Sequence, residues 1–140
     1  MQYKNYLRRF LPGILFISFA AFLRFFLKDE KIRIKKAYPT SGYLELKNWA
    51  GGSANKFKIK AGKTLTWQIK TDRILRITAI RPKQGPSIIY SVLPHSVLGS
   101  LNWVGTISDS AAGKEEEYAI DWIDKATNQA HTFDPKIQVM

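Results

Sequence analysis

Two histidines, His95 and His131, are the only imidazole side chains in this chain of 140 residues, and cysteine is absent. A blue-copper electron-transfer centre requires a cysteine thiolate, two imidazoles and a weak axial ligand, so this class of metal chemistry is excluded. Asp134 follows His131 by three positions, and residues three apart on a strand point to opposite faces of a sheet. The sequence therefore predicts no metal site and no cofactor.

Side chains that could act as nucleophiles, acids or bases are present but are not arranged for catalysis. Ser91, Ser96 and Ser100 flank His95, yet no G-x-S-x-G motif sets a serine on a sharp turn. The three successive acids at positions 115–117 are expected to be solvated at a strand edge rather than paired for glycoside hydrolysis. We therefore expect a protein that is not an enzyme.

The four tryptophans differ in their sequence surroundings. Trp67 and Trp122 alternate with apolar neighbours and are predicted to lie in a core. Trp49 and Trp103 lie beside loop-forming residues, where an exposed indole could stack on a sugar ring or contact a partner. These two are the predicted contact residues, and closure of the ends of a β-sandwich is the alternative role for them.

A row of lysines alternates with apolar residues in the segment KFKIK, which contains Lys56, Lys58 and Lys60. Such a row places three charges on one face of a strand, where they could contact an anionic ligand or partner. A solvated face that protects a sheet edge is the alternative interpretation. No nucleic acid is expected as the partner, because a hydrophobic segment precedes these strands.

That hydrophobic segment runs from Phe10 to Leu27 and carries one charge, Arg24. It is short for a membrane-spanning helix but sufficient if the flanking arginines extend to the headgroups. The sequence predicts an N-terminal signal-anchor or signal peptide over residues 1–28, which contacts membrane lipid through residues 10–27. Cleavage stays open, and a buried or interfacial helix is a third alternative.

Five basic residues follow closely behind the hydrophobic segment: Lys28, Lys31, Arg33, Lys35 and Lys36. Anionic lipid headgroups attract such residues by about 1 kcal/mol each near the surface, so all five are candidate headgroup contacts. A solvated first strand is the alternative. Charge counting alone would place the domain in the cytoplasm, whereas a short leader before a β-domain favours export. We expect a single-pass anchor with an extracytoplasmic domain, or a secreted or periplasmic protein if the leader is cleaved.

Downstream of Lys28, apolar and polar residues alternate with a period of two, as on half-solvated antiparallel strands. Examples are Lys31–Lys35, Tyr43–Lys47, Thr64–Lys70 and the segment from Arg73 to Arg81. Turn residues recur about every 8–12 positions, a spacing typical of sandwiches and barrels. The pattern predicts an all-β fold for residues 29–140, a single antiparallel β-sandwich of about seven to nine strands behind an N-terminal hydrophobic helix.

Two segments carry a resemblance to known proteins. FKIKAGKTLTWQI, residues 57–69, resembles a strand–turn–strand of cupredoxins, and residues 118–139 resemble the closing hairpin of uncharacterised bacterial envelope proteins. The resemblance implies a cupredoxin-like or immunoglobulin-like β-sandwich of the cell envelope. The copper ligands of cupredoxins are missing, because the chain has no cysteine.

Taken together, these features predict a non-catalytic, membrane-anchored or exported β-sandwich that acts as a binding module of the cell envelope. Its expected partners are membrane lipid, another envelope protein, a glycan or anionic headgroups. The alternative is a periplasmic cupredoxin-like domain that handles a small ligand or a metal. Both functions place the contacts on the β-domain rather than in a catalytic cleft.

Overall fold

A computed structural model describes residues 29–140 of the chain. The predicted N-terminal segment of residues 1–28, and with it Lys28, lies outside the described residues. All regular secondary structure in residues 29–140 is β-strand. No helix in these residues is long and apolar enough to cross a bilayer. The predicted all-β fold is therefore confirmed for the described part of the chain.

Ten strands are present in residues 29–140, one more than the largest number expected. They are β1 (Asp29–Tyr38), β2 (Tyr43–Lys47), β3 (Lys56–Ile59), β4 (Thr64–Ile69), β5 (Ile74–Pro82), β6 (Tyr90–Ser96), β7 (Trp103–Ile107), β8 (Glu115–Asp124), β9 (Ala130–Phe133) and β10 (Lys136–Val139). The first sheet has the order β2-β1-β4-β7-β6, and the second has the order β3-β10-β8-β5, with β9 also paired to β8. Side chains from both sheets form one hydrophobic core, as in a sandwich.

Both sheets are mixed, so the prediction of a purely antiparallel sandwich is wrong. Strand β1 lies parallel to β4, and β3 lies parallel to β10. The first of these pairs arises because the chain crosses to the second sheet through β3 before β4 returns beside β1. Alternation along a strand reports which face is buried, and it carries no information on the direction of the neighbouring strand.

In the first four strands buried residues alternate with outward ones, as the period of two predicts, except at the register shift of β1 around Lys35 and Lys36. Ile32 and Ile34 of β1 and Leu44 and Leu46 of β2 are all buried. The outward residues between them are polar, charged or tyrosine. Because the inward side chains fix the register, the outward ones share the solvent face of the first sheet.

Strand β5 departs from this period. Its buried residues are Ile74, Ile77 and Ile80, three positions apart, and the pairing with β8 shifts in register at two points along the strand. At each irregularity β5 carries one extra residue between two inward-facing side chains. The segment from Arg73 to Arg81 was predicted as a regular alternating strand, and that detail is wrong.

The β1–β2 hairpin forms one edge of the first sheet, and its turn is fixed to the second sheet. The indole N–H of Trp122 in β8 donates to the carbonyl of Gly42 at 3.1 Å. Gly42 has a φ of 79°, and a Cβ there would lie 3.4 Å from the carbonyl oxygen of Thr132 in β9. Glycine is therefore required where the turn approaches the second sheet closely.

Candidate functional site

The outward face of the β1–β2 hairpin carries a row of cations. Lys31 and Arg33 point away from the buried isoleucines of β1. The register shifts just before Lys36, and both Lys35 and Lys36 are exposed. Lys47 of β2 lies directly opposite Arg33 and adds a fifth cation. The structure thus places the four described members of the predicted headgroup set along one strand and one face.

Trp49 lies in the turn that follows β2 and is the most exposed tryptophan, at 79%. The turn has its own hydrogen bonds: the Gly51 N–H donates to the Asn48 carbonyl at 3.0 Å, and the Gly52 N–H donates to Asn48 Oδ1 at 2.9 Å. The Asn48 N–H in turn donates to the Gly52 carbonyl at 2.9 Å. A large apolar side chain is therefore displayed on a closed, hydrogen-bonded turn.

Arg33 joins this turn to the basic face. Its Nη2 donates to the carbonyl of Asn48 at 2.8 Å and to the carbonyl of Trp49 at 3.0 Å. Two carbonyls held by one guanidinium restrict the backbone of the turn before any partner arrives. Less conformational freedom remains to be lost when the indole is covered, and this favours binding.

Two tyrosines and a shallow concavity lie at the other end of the same face. Tyr38 ends β1 and Tyr43 begins β2, and their side chains are 43% and 39% exposed. The ring centroids are 5.7 Å apart with 43° between the planes. The concavity has a volume of about 490 Å³ and is lined by Tyr38, Pro39, Thr40, Ser41, Tyr43 and Glu45. Tyr38 and Tyr43 therefore form a second aromatic site beside the cations, at the end of β2 that is farther from the Trp49 turn.

Tyr43 is supported from behind by residues of the second sheet and the β2–β3 connection. Its ring makes an edge contact with Phe133 of β9 at 5.0 Å between centroids. Its hydroxyl accepts a hydrogen bond from the Asn55 side-chain amide at 3.2 Å. These contacts fix the ring at the rim of the concavity, so the site does not depend on a mobile side chain.

The β8–β9 turn, which leads the chain to Phe133, is closed by the buried carboxylate of Asp124. Asp124 accepts hydrogen bonds from the Thr127 hydroxyl at 2.6 Å, the Thr127 N–H at 2.9 Å and Arg73 Nε at 2.8 Å. The hydroxyl bond from Thr127 is the main cause that lowers the pKa of Asp124 to about 2; burial opposes it and Arg73 reinforces it.

Acid is therefore expected to destabilise this turn. The folded pKa of about 2 lies below the ordinary value of 3.8, so the ionised form of Asp124 is favoured by folding. Its contribution is fully present above about pH 4 and is lost as the pH falls towards 2. In Thr127→Val the pKa of Asp124 rises, and the melting temperature should depend less steeply on pH between 5 and 2. An equally steep acid loss in this variant would contradict the assignment.

No family model matches this chain. No curated protein matches it either.

Trp103, the second predicted contact residue, lies differently from Trp49. It is partly buried against the core and pairs with the buried Trp67 across β4 and β7. It also lines a groove of about 510 Å³ between β5 and the β6–β7 connection, beside residues such as Arg76 and Leu101. The structure does not bring Trp103 together with Trp49. Trp103 begins β7, next to one edge of the first sheet, whereas Trp49 follows β2 at the opposite edge.

The predicted lysine row lies on the other sheet. Lys56 and Lys58 are exposed on β3 at the edge of the second sheet, and the exposed Lys60 follows directly after this strand. Lys56 Nζ lies 3.7 Å from the carboxylate of Glu115 in β8. Within the described residues, Lys58 and Lys60 form no ion pair. This row is therefore separate from the hairpin face and offers charge-matched control positions.

The two histidines do not meet. His95 lies on β6 in the first sheet, while His131 lies on β9 in the second and stacks on Trp122 at 4.7 Å between centroids. Within residues 29–140, no group of three metal-binding side chains comes together. His131 instead fills space behind the hairpin turn, close to Gly42.

Sequence reasoning missed Tyr38 and Tyr43 as candidate contacts. Each ends or begins an alternating run, and each on its own is an ordinary strand residue. The signal was the turn between them: a four-residue connection at positions 39–42 brings the two tyrosines directly opposite each other in the register. A pair of aromatic residues flanking a predicted tight turn is therefore the pattern that could have identified this site.

Proposed function

We propose that this chain is a non-catalytic binding module of the cell envelope, anchored in the membrane or exported, and that it binds through the outward face of the β1–β2 hairpin. The observation that carries the proposal is the exposure of Trp49 on a turn fixed by Arg33. A rigidly held, exposed indole offers a large apolar surface whose burial by a ligand or partner is favourable, and tryptophan is enriched among the residues that contribute most to binding.

The sequence before β1 supports the membrane part of the proposal. The hydrophobic run ends at Leu27, and β1 begins at Asp29, opposite Thr64. A strand rises about 3.3 Å per residue, so Lys36 lies about 23 Å along β1 from Asp29. If the run is inserted, Lys31 stands nearest to the headgroups, while Lys35 and Lys36 reach them only where the sheet lies flat on the surface.

A cupredoxin-like or immunoglobulin-like class for the sandwich is part of the same proposal. This class rests on the resemblance of residues 57–69 to cupredoxins and of residues 118–139 to bacterial envelope proteins. The mixed sheets by themselves do not indicate an activity. No contact or cluster in the described residues specifically supports the alternative, a domain that handles a metal or a small ligand. The binding module is therefore the proposal that we test.

The membrane anchor is tested by fractionation of cells that express the full chain, with protease added to intact cells or spheroplasts. An uncleaved chain in the membrane fraction, with the β-domain digested from the outside, is the expected result. A full-length chain that is recovered without membrane association would overturn the anchored form. A shortened chain in the soluble exported fraction would instead support the cleaved, exported form.

Replacing Trp49 with alanine should weaken binding to envelope fragments by at least about fivefold, the size expected for a contact worth about 1 kcal/mol. Co-sedimentation of the full chain in mild detergent with fragments of its own cells measures this. Lys58→Gln, on the second sheet, is the control and should bind like the unmodified chain. Equal binding by Trp49→Ala and the unmodified chain would count against the hairpin face as the contact.

A further inference from the structure

The concavity beside Tyr38 and Tyr43 is shallow and open, so it could seat one unit of a longer ligand rather than enclose a whole small molecule. Binding pockets commonly enclose about 300–1,000 Å³ and combine apolar surfaces with a few polar groups. Here a volume of about 490 Å³ is lined by two exposed tyrosines together with the polar residues Thr40, Ser41 and Glu45. A saccharide matches such a lining, because the apolar face of its ring can stack on aromatic side chains while its hydroxyls form hydrogen bonds with polar groups.

We infer that this concavity binds a sugar unit of an anionic polysaccharide, which then continues along the hairpin face towards Trp49. The inference deepens the function proposed above and rests on it. Tyr38 and Tyr43 supply the stacking surface for one ring. The Glu45 carboxylate, which lies 3.5 Å from Lys47 Nζ, is placed to accept hydrogen bonds from sugar hydroxyls.

The charge of the ligand follows from the residues next to the concavity. Lys36 lies opposite Glu45 in the register, and Lys35 and Lys31 follow back along β1. Lys47 lies four residues along β2 from Tyr43, a distance of about 13 Å at the rise of a strand. Trp49 lies just beyond. A chain with repeated carboxylate, sulfate or phosphate groups could therefore contact tyrosines, cations and indole in sequence.

The geometry favours a saccharide over the other anionic polymers and surfaces. An anionic bilayer surface is recognised mainly through its charge, so it accounts for the cations of the hairpin face but not for the aromatic concavity beside them. Single-stranded nucleic acid stacks successive bases on open aromatic faces. The Tyr38 and Tyr43 rings are tilted by 43° with centroids 5.7 Å apart, and Tyr43 is packed edge-on against Phe133, so they offer one platform and not a series.

The test uses the full chain in a neutral detergent and titrates it with three tetrasaccharides, which are galacturonate, mannuronate and sulfated chondroitin. The methyl ester of tetragalacturonate is the uncharged match for the first probe. At least one anionic tetrasaccharide should bind, with affinity that falls as salt rises. The methyl ester should bind less tightly than tetragalacturonate if the latter is a ligand, because it lacks the charges that the lysines attract.

Two variants locate the site on the face. Tyr38→Ala should weaken the tightest tetrasaccharide by at least about fivefold through lost stacking. Lys36→Gln should weaken it by about two- to fivefold, as expected for one exposed charge pair. Lys58→Gln removes the same charge from the second sheet and should leave the affinity within about twofold. An unchanged near-ultraviolet circular dichroism spectrum shows that each variant is folded.

The inference is overturned if no anionic tetrasaccharide binds, or if Lys36→Gln and Lys58→Gln lose the same affinity. It is also overturned if an oligo-dT binds more tightly than every saccharide. Finally, it is overturned if phosphatidylglycerol vesicles compete away the saccharide while Tyr38→Ala has no effect on saccharide binding. If the saccharides fail while Trp49→Ala still releases the chain from envelope fragments, the binding module stands and only the ligand class is wrong. If neither test shows binding, the proposed function fails as well.

Discussion

Replacing Trp122 with alanine is expected to lower the free energy of unfolding by about 3–5 kcal/mol, the range measured for buried tryptophan or phenylalanine truncations. Trp122 is fully buried, stacks on His131 and donates its indole N–H to the carbonyl of Gly42. The variant therefore leaves a cavity and also an unsatisfied carbonyl in the hairpin turn. Urea denaturation followed by far-ultraviolet circular dichroism measures the change.

Trp49→Ala is the matched control, because it removes the same side chain from an exposed position. The stability of this variant should stay within about 0.5 kcal/mol of the unmodified chain. If Trp122→Ala does not fold at all, Trp122→Phe keeps most of the ring and should cost less, mainly through the lost hydrogen bond. Similar losses in Trp49→Ala and the Trp122 variants would contradict the burial of Trp122 behind the hairpin.

The strands were predictable because one face of each is buried while the other is in water. The run from Tyr43 to Lys47 alternates in the sequence and forms β2 with the same bounds. The same reasoning assigned Trp67 and Trp122 to the core, where both are fully buried. Local alternation is sufficient for these assignments because it records the burial of each side chain, which the hydrophobic effect determines.

The pairing of strands was not predictable in the same way. The parallel pairs β1–β4 and β3–β10 join segments far apart in the sequence, and no local pattern encodes a partner. In β5, Ile74, Ile77 and Ile80 all reach the core only because the strand is irregular at two points. A bulge is a response to packing against the neighbouring strand, so a period of two could not anticipate it.

The candidate face was predicted in part, from the residues whose chemistry is visible one at a time. Trp49 was identified as an indole beside a turn, and it is exposed. Trp103 has the same kind of surroundings in the sequence, but its register opposite Trp67 turns it towards the core. The tyrosine site was missed because it exists only once the hairpin places Tyr38 opposite Tyr43.

Glu116 is a further departure from the sequence-based expectation that all three acids at positions 115–117 are solvated. Alternation along β8 turns Glu116 inward, and it is buried with 7% of its surface exposed. Its Oε1 accepts hydrogen bonds from the Ser87 hydroxyl at 2.9 Å and from the Ile88 N–H at 3.0 Å. The carboxylate thus fixes the connection between β5 and β6 against the second sheet.

Glu116→Leu is therefore expected to lower the free energy of unfolding by about 1–3 kcal/mol, although it adds an apolar side chain to a core position. The substitution removes the acceptor of two donors, and a donor left without a partner keeps its desolvation penalty. Thermal or urea unfolding of the full chain in mild detergent measures the loss. Hydrogen exchange at Ile88 should also become faster, because its N–H no longer has a carboxylate to donate to.

Glu116→Gln separates the hydrogen bonds from the charge. Its side-chain carbonyl can still accept from Ser87 and Ile88, so its stability should stay within about 1 kcal/mol of the unmodified chain. Burial raises the pKa of Tyr90 well above its ordinary value, with added contributions from Tyr118 and the charge of Glu116. In Glu116→Gln that charge is gone, so the pKa of Tyr90 should fall in an ultraviolet titration. A leucine variant as stable as the glutamine variant would show that the two hydrogen bonds do not fix the connection, and that Glu116 lies inward only because β8 alternates.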